Sequence, residues 1–468
     1  METLTDLAIF LFNFAFRRSA ARTAVASFLC VVLAGTVLLT LPFSSRAGRW
    51  THPVDALFTA TSAACVTGLI VKSTPDYWSL AGQLVILALI QIGGLGMMAI
   101  GAFVAVMLPR RYRARLGTVV TDLAEASPIE SIWMLLRLIL LFTLCAEVLG
   151  TAALYLAWGG EFPAFWPRVY YSAFHAVSAF CNAGFSLNNQ NLVPYVNSVG
   201  VNVSICLLIV VGGLGFMVVR DLADYGRWWL LGRKGKLPRL ATHTKLVLTV
   251  TGVLLLIGFL GFFVIESYGS LAQAPLETKL LASMFQSVTP RTAGFNTVDL
   301  SRTAAVPVAR ASVFLIIALM YIGGSPGGTA GGIKTSTLGI MIASIVAILR
   351  GRARAELFRH TVPEETVHRV VSIVLLSIVA LAVSIFVLLI TETAQFELVV
   401  FDAVSAFGTV GLSIGLTGPG AAITAAGKLI LTALMFFGRL GPVTFVLGVA
   451  YLKDTAAYEY PEEHILVG

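Results

Sequence analysis

Long apolar stretches, separated by short polar and basic segments, dominate this sequence. A helix needs about 20 apolar residues to cross roughly 30 Å of hydrocarbon, and eight stretches approach or exceed that length. We therefore predict eight membrane-spanning helices, which leave both termini on one side of the membrane. The predicted spans cover residues 24–43, 79–107, 132–158, 198–219, 245–266, 311–348, 367–391 and 425–450.

The composition agrees with a protein surrounded by lipid. Of the 468 residues, 57% are hydrophobic and 12% are charged, whereas charged residues make up about 25% of a typical soluble domain. The segment from Met1 to Arg22 does not fit a cleaved signal followed by a separate domain, because the next stretch is itself long enough to span. We predict a cytoplasmic leader over residues 1–23.

The net charge of +8 is concentrated beside the predicted spans. Short basic flanks mark the cytoplasmic face, which places both termini in the cytoplasm, although Arg46 and Arg49 lie on the other side. Because every basic cluster adjoins a span, attraction to the lipid bilayer explains these residues better than nucleic acid does. The cytoplasmic basic residues are Arg17, Arg18, Arg22, Arg110, Arg111, Arg113, Arg115, Arg220, Arg227, Arg233, Lys234, Lys236, Arg239, Arg350, Arg352, Arg354 and Arg359.

Four short segments between the predicted spans share one pattern, and each ends in glycine. They are too short and too polar to cross the membrane, and they recur at intervals of about 110–120 residues, which makes the chain a fourfold repeat. The segments are FTATSAACVTG at Phe58–Gly68, FHAVSAFCNAG at Phe174–Gly184, MFQSVTPRTAG at Met284–Gly294 and FDAVSAFGTVG at Phe401–Gly411.

The repeats predict an all-α integral membrane fold in which span, re-entrant pore helix and span recur four times around a central pore. Irregular backbone at membrane depth needs protein or a watery cavity around it. Backbone carbonyls can replace the hydration shell of an ion, and glycine leaves room for them. The predicted repeats are 24–115, 116–240, 241–360 and 361–468, the last including a C-terminal tail. The predicted filter residues are Val66, Thr67, Gly68, Asn182, Ala183, Gly184, Thr292, Ala293, Gly294, Thr409, Val410 and Gly411.

A second motif lies in the second span of each repeat: IGGLG at Ile92–Gly96, VGGLG at Val211–Gly215, IGGSPGG at Ile322–Gly328 and FGRLG at Phe437–Gly441. Glycine pairs in spans usually allow close packing, and we apply that interpretation to the first two repeats. The third copy must break the helix, because glycine costs about 1 kcal/mol and proline about 3. We favour a gate here over a passive kink. Its residues are Gly323, Gly324, Ser325, Pro326, Gly327, Gly328, Thr329, Ala330, Gly331 and Gly332.

Arg439 replaces the second glycine of the pair in the fourth repeat, near the middle of a span. Charge is expensive at that depth and is usually functional. Our hypothesis makes Arg439 an electrostatic barrier below the filter and part of the gate. The alternative is a structural ion pair with Glu147 or Glu392. Repeats one and two then supply scaffold and filter, while repeats three and four add gating.

Several other side chains have plainer interpretations. Asp55 and Asp402 are predicted to cap pore-helix N-termini, and Arg291 is predicted to brace the filter from behind. His175 is predicted to pack in the core or on a pore helix. The five cysteines, Cys30, Cys65, Cys145, Cys181 and Cys206, lack metal-ligand spacing and are predicted to be small buried side chains.

The motifs VTGL, NAGF, TPRTAGF and TVGL, set in a fourfold span–pore–span pattern, resemble the Trk/Ktr/HKT superfamily, and the eight spans resemble its KtrB-type membrane subunit. The resemblance implies K⁺ bound by backbone carbonyls at Gly68, Gly184, Gly294 and Gly411, with Na⁺ as an activator. It also implies a homodimer in a bacterial inner membrane, resting on a cytosolic KtrA-like ring. That ring would bring ATP or ADP, since this chain has no nucleotide fingerprint and no covalent cofactor is expected.

Three alternatives stay open. A coupled K⁺ symporter would use alternating access, although such folds usually show two repeats instead of four. The pore subunit of an ATP-driven pump would need a catalytic partner, because no aspartate motif or cytosolic domain is present. A membrane enzyme would need clustered catalytic side chains, whereas the six histidines are scattered; we predict that the chain is not an enzyme.

Overall fold

A computed structural model describes residues 20–107, 128–162, 164–230, 240–301, 304 and 306–449. These residues form four successive units, each with a long helix, a short helix that we call the pore helix, and a further helix. The first unit contains α1 (Ala20–Thr40), pore helix α2 (Pro53–Ala64), the single turn α3 (Thr74–Tyr77) and α4 (Leu80–Met107). The second contains α5 (Pro128–Ala157), pore helix α6 (Phe165–Phe180), α7 (Val199–Leu214) and α8 (Phe216–Leu230).

The third and fourth units repeat this order. The third contains α9 (Thr242–Glu266), pore helix α10 (Leu276–Val288), α11 (Arg310–Tyr321) and α12 (Thr335–Leu349). The fourth contains α13 (Glu364–Thr391), pore helix α14 (Phe396–Gly408), α15 (Ala425–Leu440) and α16 (Pro442–Val449). Short 3₁₀ turns lie at Pro42–Ser44, Gly159–Glu161 and Val193–Tyr195.

The long first helix of each unit can cross a membrane by its length and composition. The apolar segments are Arg22–Thr40, Leu136–Ala157, Thr242–Glu266 and Glu364–Thr391. In the most apolar 18 residues of each segment, between 17% and 28% of the residues are buried by protein. Most of their apolar side chains therefore face outward, as expected for contact with lipid. Shorter apolar helices, Leu80–Gly96, Arg310–Tyr321 and Thr335–Leu349, supplement them.

The second helix of three units breaks at the glycine motif. α7 ends at Leu214, and α8 leaves it at 106° because Gly215 has a φ of +86°. α15 ends at Leu440, where Gly441 has a φ of +82°. The predictions of continuous spans over 198–219 and 425–450 were therefore wrong beyond these glycines, whereas the break inside 311–348 was predicted.

The glycine pairs bring these helices against the pore helices. A Cβ atom added at Gly93, Gly212 or Gly438 would stand closer than 3.0 Å to a carbonyl oxygen at the end of a pore helix, in Ala64, Phe180 or Phe407 respectively. No side chain larger than hydrogen fits at such a contact. The close-packing interpretation is confirmed for the first two units and extends to the fourth.

The prediction for the cysteines needs a correction. Cys65, Cys181 and Cys206 are buried, as expected, but Cys30 and Cys145 are exposed. The all-α fold class is confirmed, and a short two-stranded hairpin, β1 (Glu356–Leu357) with β2 (His360–Thr361), lies between α12 and α13. The leader before residue 20, the basic segments 108–127 and 231–239, and the tail after 449 lie outside the described residues.

The first and last units are joined by charge. Asp55, in the first turn of α2, lies 2.6 Å from the Lys428 ammonium on α15 and 3.5 Å from Lys72. The Asp55 and Lys428 side chains are 9% and 19% exposed. The cap at the start of α2 is instead His52, whose Nδ1 accepts from the Val54 N–H. The predicted capping role of Asp55 was therefore wrong.

Replacing Asp55 by asparagine should lower the free energy of unfolding by about 2 kcal/mol, because a largely buried ammonium loses its main counter-charge. Thermal denaturation in detergent measures the loss. Glu356→Gln is the control: its pair with Arg352 is half exposed, and exposed pairs contribute about 0–1 kcal/mol. Equal shifts for both variants would contradict the clamp.

Candidate ion pore

The four predicted filter glycines share an unusual backbone conformation. Their φ angles are +92° for Gly68, +69° for Gly184, +74° for Gly294 and +93° for Gly411. Left-handed values of this kind are accessible to glycine at little cost. Each glycine comes shortly after the end of its pore helix, so the four segments have the same local geometry.

These glycines also meet each other. A Cβ atom at Gly68 would stand closer than 3.0 Å to the Ala183 carbonyl oxygen, and one at Gly184 equally close to that of Ala293. Gly294 has the same relation to the Val410 oxygen, and Gly411 to the Thr67 oxygen. Each unit thus touches the next, and the fourth touches the first. We call this closed arrangement the glycine ring.

A second position in every filter segment is strained, and no feature of the residue types predicted it. Val66, Asn182, Thr292 and Thr409, each two residues before the glycine, have φ values of +55°, +62°, +74° and +51°. Of these residue types only asparagine favours that region. Such conformations cluster at functional sites and persist only when the surroundings impose them.

Hydroxyl groups from the pore helices support the filter segments. Ser62 Oγ accepts from the Gly68 N–H at 3.1 Å, and Ser405 Oγ accepts from the Gly411 N–H at the same distance. In the second unit Ser178 donates to the Phe185 carbonyl at 2.8 Å. The third unit has Val288 at this position, and the neighbouring Thr289 donates to Phe295 in its place.

Two opposite units add a second brace, which accounts for His175 and Asp402. His175 Nε2 lies 3.0 Å from Ser186 Oγ, and Asp402 Oδ2 accepts from Ser413 Oγ at 2.9 Å. Both serines come two residues after a predicted filter glycine. His175 is fully buried on pore helix α6, as expected for packing in the core or on a pore helix. Asp402 lies in the middle of α14 and caps nothing, so that prediction was wrong.

An open funnel of about 410 Å³ lies on one side of the glycine ring, and all four glycines line it. Its walls carry amide and hydroxyl groups, and Asp299 adds a carboxylate. None of the described residues that line it is lysine or arginine. The funnel is therefore an environment that accepts a hydrated cation.

The intramembrane loop, Gly323–Gly332, lies on the other side of the ring. A Cβ at Gly331 would collide with the Thr409 side chain, and one at Gly323 would stand 3.2 Å from the Thr292 methyl. Because both threonines belong to the filter segments, the loop is directly beneath them.

The second unit holds this loop with its backbone. The Ser325 N–H donates to the Gly213 carbonyl at 2.9 Å, and the Thr329 N–H to that of Gly212 at 3.1 Å. In return the Phe216 N–H donates to Gly327 at 3.3 Å. The break in α7 at Gly215 exposes the groups that make these bonds.

Arg439 is 1% exposed and ties the loop to the first unit. Its guanidinium donates to the Thr329 carbonyl of the loop and, at 2.8 Å, to the Gly93 carbonyl of α4. Glu147 instead pairs with Gln91, and Glu392 with Thr424. Within the described residues Arg439 makes no ion pair, so the alternative of a pair with either glutamate was wrong.

Two further basic side chains donate hydrogen bonds to carbonyl groups of the intramembrane loop. Arg291 donates to Gly323 at 3.4 Å, and Lys334 donates to Ala330 at 2.6 Å. Arg291 therefore contacts the loop, where a brace behind the filter was expected. Carbonyl acceptors carry no side-chain signature, and for this reason the sequence could not identify these partners.

The fold and the site define a multi-pass membrane protein in which four pseudo-equivalent units surround one central axis, with the intramembrane loop on one side of the glycine ring. Comparison with known proteins gives the family. The sequence model of the TrkH family, described as a cation transport protein, matches residues 13–459 of this chain. The chain belongs to this family of cation transporters, which confirms the predicted resemblance and excludes the enzyme alternative.

Individual relatives match over nearly their full length. The potassium/sodium uptake protein NtpJ of Enterococcus hirae is 39% identical over 97% of this chain and 98% of its own. The Ktr system potassium uptake protein B of Bacillus subtilis is 36% identical over 95% and 96%. The crystal structure of the potassium transporter TrkH from Vibrio parahaemolyticus superposes with a TM-score of 0.66 at 20% identity, covering 93% of this chain and 86% of that one. That likeness concerns the fold.

Ser62→Ala should destabilise the protein by about 1–3 kcal/mol, because the buried Gly68 N–H loses its acceptor. Thermal denaturation in detergent measures this. Ser372→Ala is the control, since that exposed hydroxyl only donates back to its own helix at His368. A Ser62 variant as stable as the control would show that the hydroxyl does not support the filter segment.

Proposed function

We propose that this protein conducts K⁺ across the membrane through the glycine ring. The observation that carries the proposal is the closed ring of four backbones, in which no side chain stands between neighbouring units. Backbone carbonyls can substitute for the water around a dehydrated cation. The relatives named as potassium uptake proteins support K⁺ as the substrate.

The direction of the pore helices favours a cation at this point. All four end three to six residues before a filter glycine, at Ala64, Phe180, Val288 and Gly408. A helix C-terminus carries a partial negative charge of about half an electron. Four such ends around the ring would stabilise a cation and repel an anion, with the carbonyl groups of the filter segments as direct ligands.

The intramembrane loop is the gate in this proposal. It lies directly beneath Thr292 and Thr409 and is bonded to the second and fourth units. An ion leaving the filter on this side would meet the loop and the positive charges of Arg439 and Lys334. Opening would require Arg439 to release Thr329, and its charge would add a barrier while the loop is closed.

The names of the same relatives support a transporter that works with partner subunits. Names such as Ktr system potassium uptake protein B denote one component of a system. We propose a homodimer in a bacterial inner membrane, with both termini in the cytoplasm, resting on a KtrA-like ring that responds to ATP or ADP. Na⁺ is an activator in this proposal, and the relative named as a potassium/sodium uptake protein supports the involvement of Na⁺.

Expression of the protein in a bacterium that lacks its own K⁺ uptake should restore growth at low external K⁺. Changing any one of Gly68, Gly184, Gly294 or Gly411 to serine should weaken or abolish this rescue, because a side chain would meet the next unit's carbonyl. Gly252→Ser is the matched control, since a Cβ there meets nothing within 4 Å. Full rescue by all four filter variants would sink the proposal.

Arg439→Gln should raise ⁸⁶Rb⁺ flux into proteoliposomes without a partner subunit by about tenfold, the effect of losing one charge-assisted hydrogen bond. Arg439→Lys separates the two roles of the residue. Lysine keeps the charge, but its single nitrogen replaces the two guanidinium nitrogens that donate separately to Thr329 and Gly93. If charge alone closes the pathway, the lysine variant stays as tight as the wild type; if bonding closes it, both variants leak. Unchanged flux in both would exclude a gating role.

A further inference from the structure

The helix α8 has two contrasting faces and runs beyond the protein body. Val218, in its first turn, is buried against Leu214 and Val247. The same stripe continues with Leu222, Tyr225 and Trp229, which are 37%, 40% and 58% exposed. Arg220, Asp224 and Arg227 lie on the opposite face by helical spacing. The apolar stripe therefore begins in the protein core and continues along an exposed part of the helix. Such a surface is unfavourable in water and should be covered by an apolar partner.

The depth of α8 indicates what covers the stripe. α7, with 16 residues, is about 24 Å long, so it nearly crosses the hydrocarbon before the 106° bend. Asp221 then accepts from Thr244 Oγ1 at 2.5 Å, in the first turn of the next span. The helix therefore lies across the spans at the level where one begins and another ends.

The same helix is bonded directly to the intramembrane loop. Its first residue, Phe216, donates its N–H to Gly327 at 3.3 Å. The preceding residue, Gly215, has no room for a Cβ, because Pro326 of the loop would be 2.7 Å away. A displacement of α8 therefore cannot occur without a change at the middle of the loop.

We infer that α8 lies in the cytoplasmic membrane interface, with its apolar stripe among acyl chains and Arg220 and Arg227 against anionic lipid headgroups, and that this attachment controls the loop. Aromatic and leucine residues on one face and arginine on the other are typical of interfacial helices. The control of flux rests on the proposed function; the location of the helix does not.

The location is tested with spin labels in proteoliposomes. Leu222→Cys and Asp224→Cys are labelled separately after the exposed Cys30 and Cys145 have been replaced by alanine. Collision with oxygen, which concentrates in the membrane, should dominate at position 222. Collision with a water-soluble nickel chelate should dominate at position 224. Equal access of nickel to both positions would overturn the assignment, and would indicate a surface that faces water or a protein partner.

The control of flux is tested with ⁸⁶Rb⁺ in liposomes of phosphatidylcholine alone or with phosphatidylglycerol. Anionic lipid should change wild-type flux by about three- to fivefold, and Arg220→Gln with Arg227→Gln should remove this dependence. Arg352→Gln with Arg354→Gln, which neutralises two exposed charges on the same side, should keep it. Equal lipid dependence in all three proteins would overturn the control.

Absence of wild-type flux in every lipid would count against K⁺ conduction and with it against control through α8. The spin-label result would still decide where the helix lies. The two failures are therefore distinguishable.

Discussion

The close approach of four backbones at the axis is the constraint on which the rest of this structure depends. At each filter glycine an added Cβ would collide with a carbonyl oxygen of the next unit, so only glycine allows the units to come this close. To reach this approach, the residue two positions earlier must also turn into the left-handed region, even where it is valine or threonine. Strain of that kind persists only if the surroundings hold it. The pore helices, their hydroxyl groups and the glycine pairs behind them provide that support.

Where a helix is broken, its backbone carbonyl groups lose their partners within the helix, and in this structure such carbonyls accept hydrogen bonds from basic side chains. Arg439, Arg291 and Lys334 all donate to carbonyls of the intramembrane loop. A carboxylate partner would neutralise each charge locally, whereas a carbonyl satisfies the hydrogen bonds and leaves the net charge in place. Positive charge therefore remains beneath the ring, and it costs less than an isolated charge in lipid would.

The sequence predicted features that repeat and missed those that depend on another unit. Fourfold spacing identified the four glycines that form the ring, and the collapse of helix propensity identified the break after Tyr321. A single glycine in an apolar stretch does not distinguish packing from a bend, so the ends of α7 and α15 were missed. Asp55 and Asp402 matched a local capping rule, but Lys428 and Thr417 bind them from distant positions. Left-handed Val66 and Thr409 contradict local preference and result from the ring.

The contacts of the intramembrane loop extend beyond the two units to which gating was assigned. Repeats three and four were expected to supply gating alone, with the loop in one and Arg439 in the other. The loop is in fact bonded to carbonyls of Gly212 and Gly213 in the second unit, and Arg439 bridges it to Gly93 in the first. All four units contribute an equivalent glycine to the glycine ring, whereas each unit makes a different contact with the loop or with Arg439. The loop is bonded to the second unit directly and to the first through Arg439 of the fourth. Opening of the proposed gate would therefore require changes at several interfaces together, which favours two discrete arrangements over gradual movement.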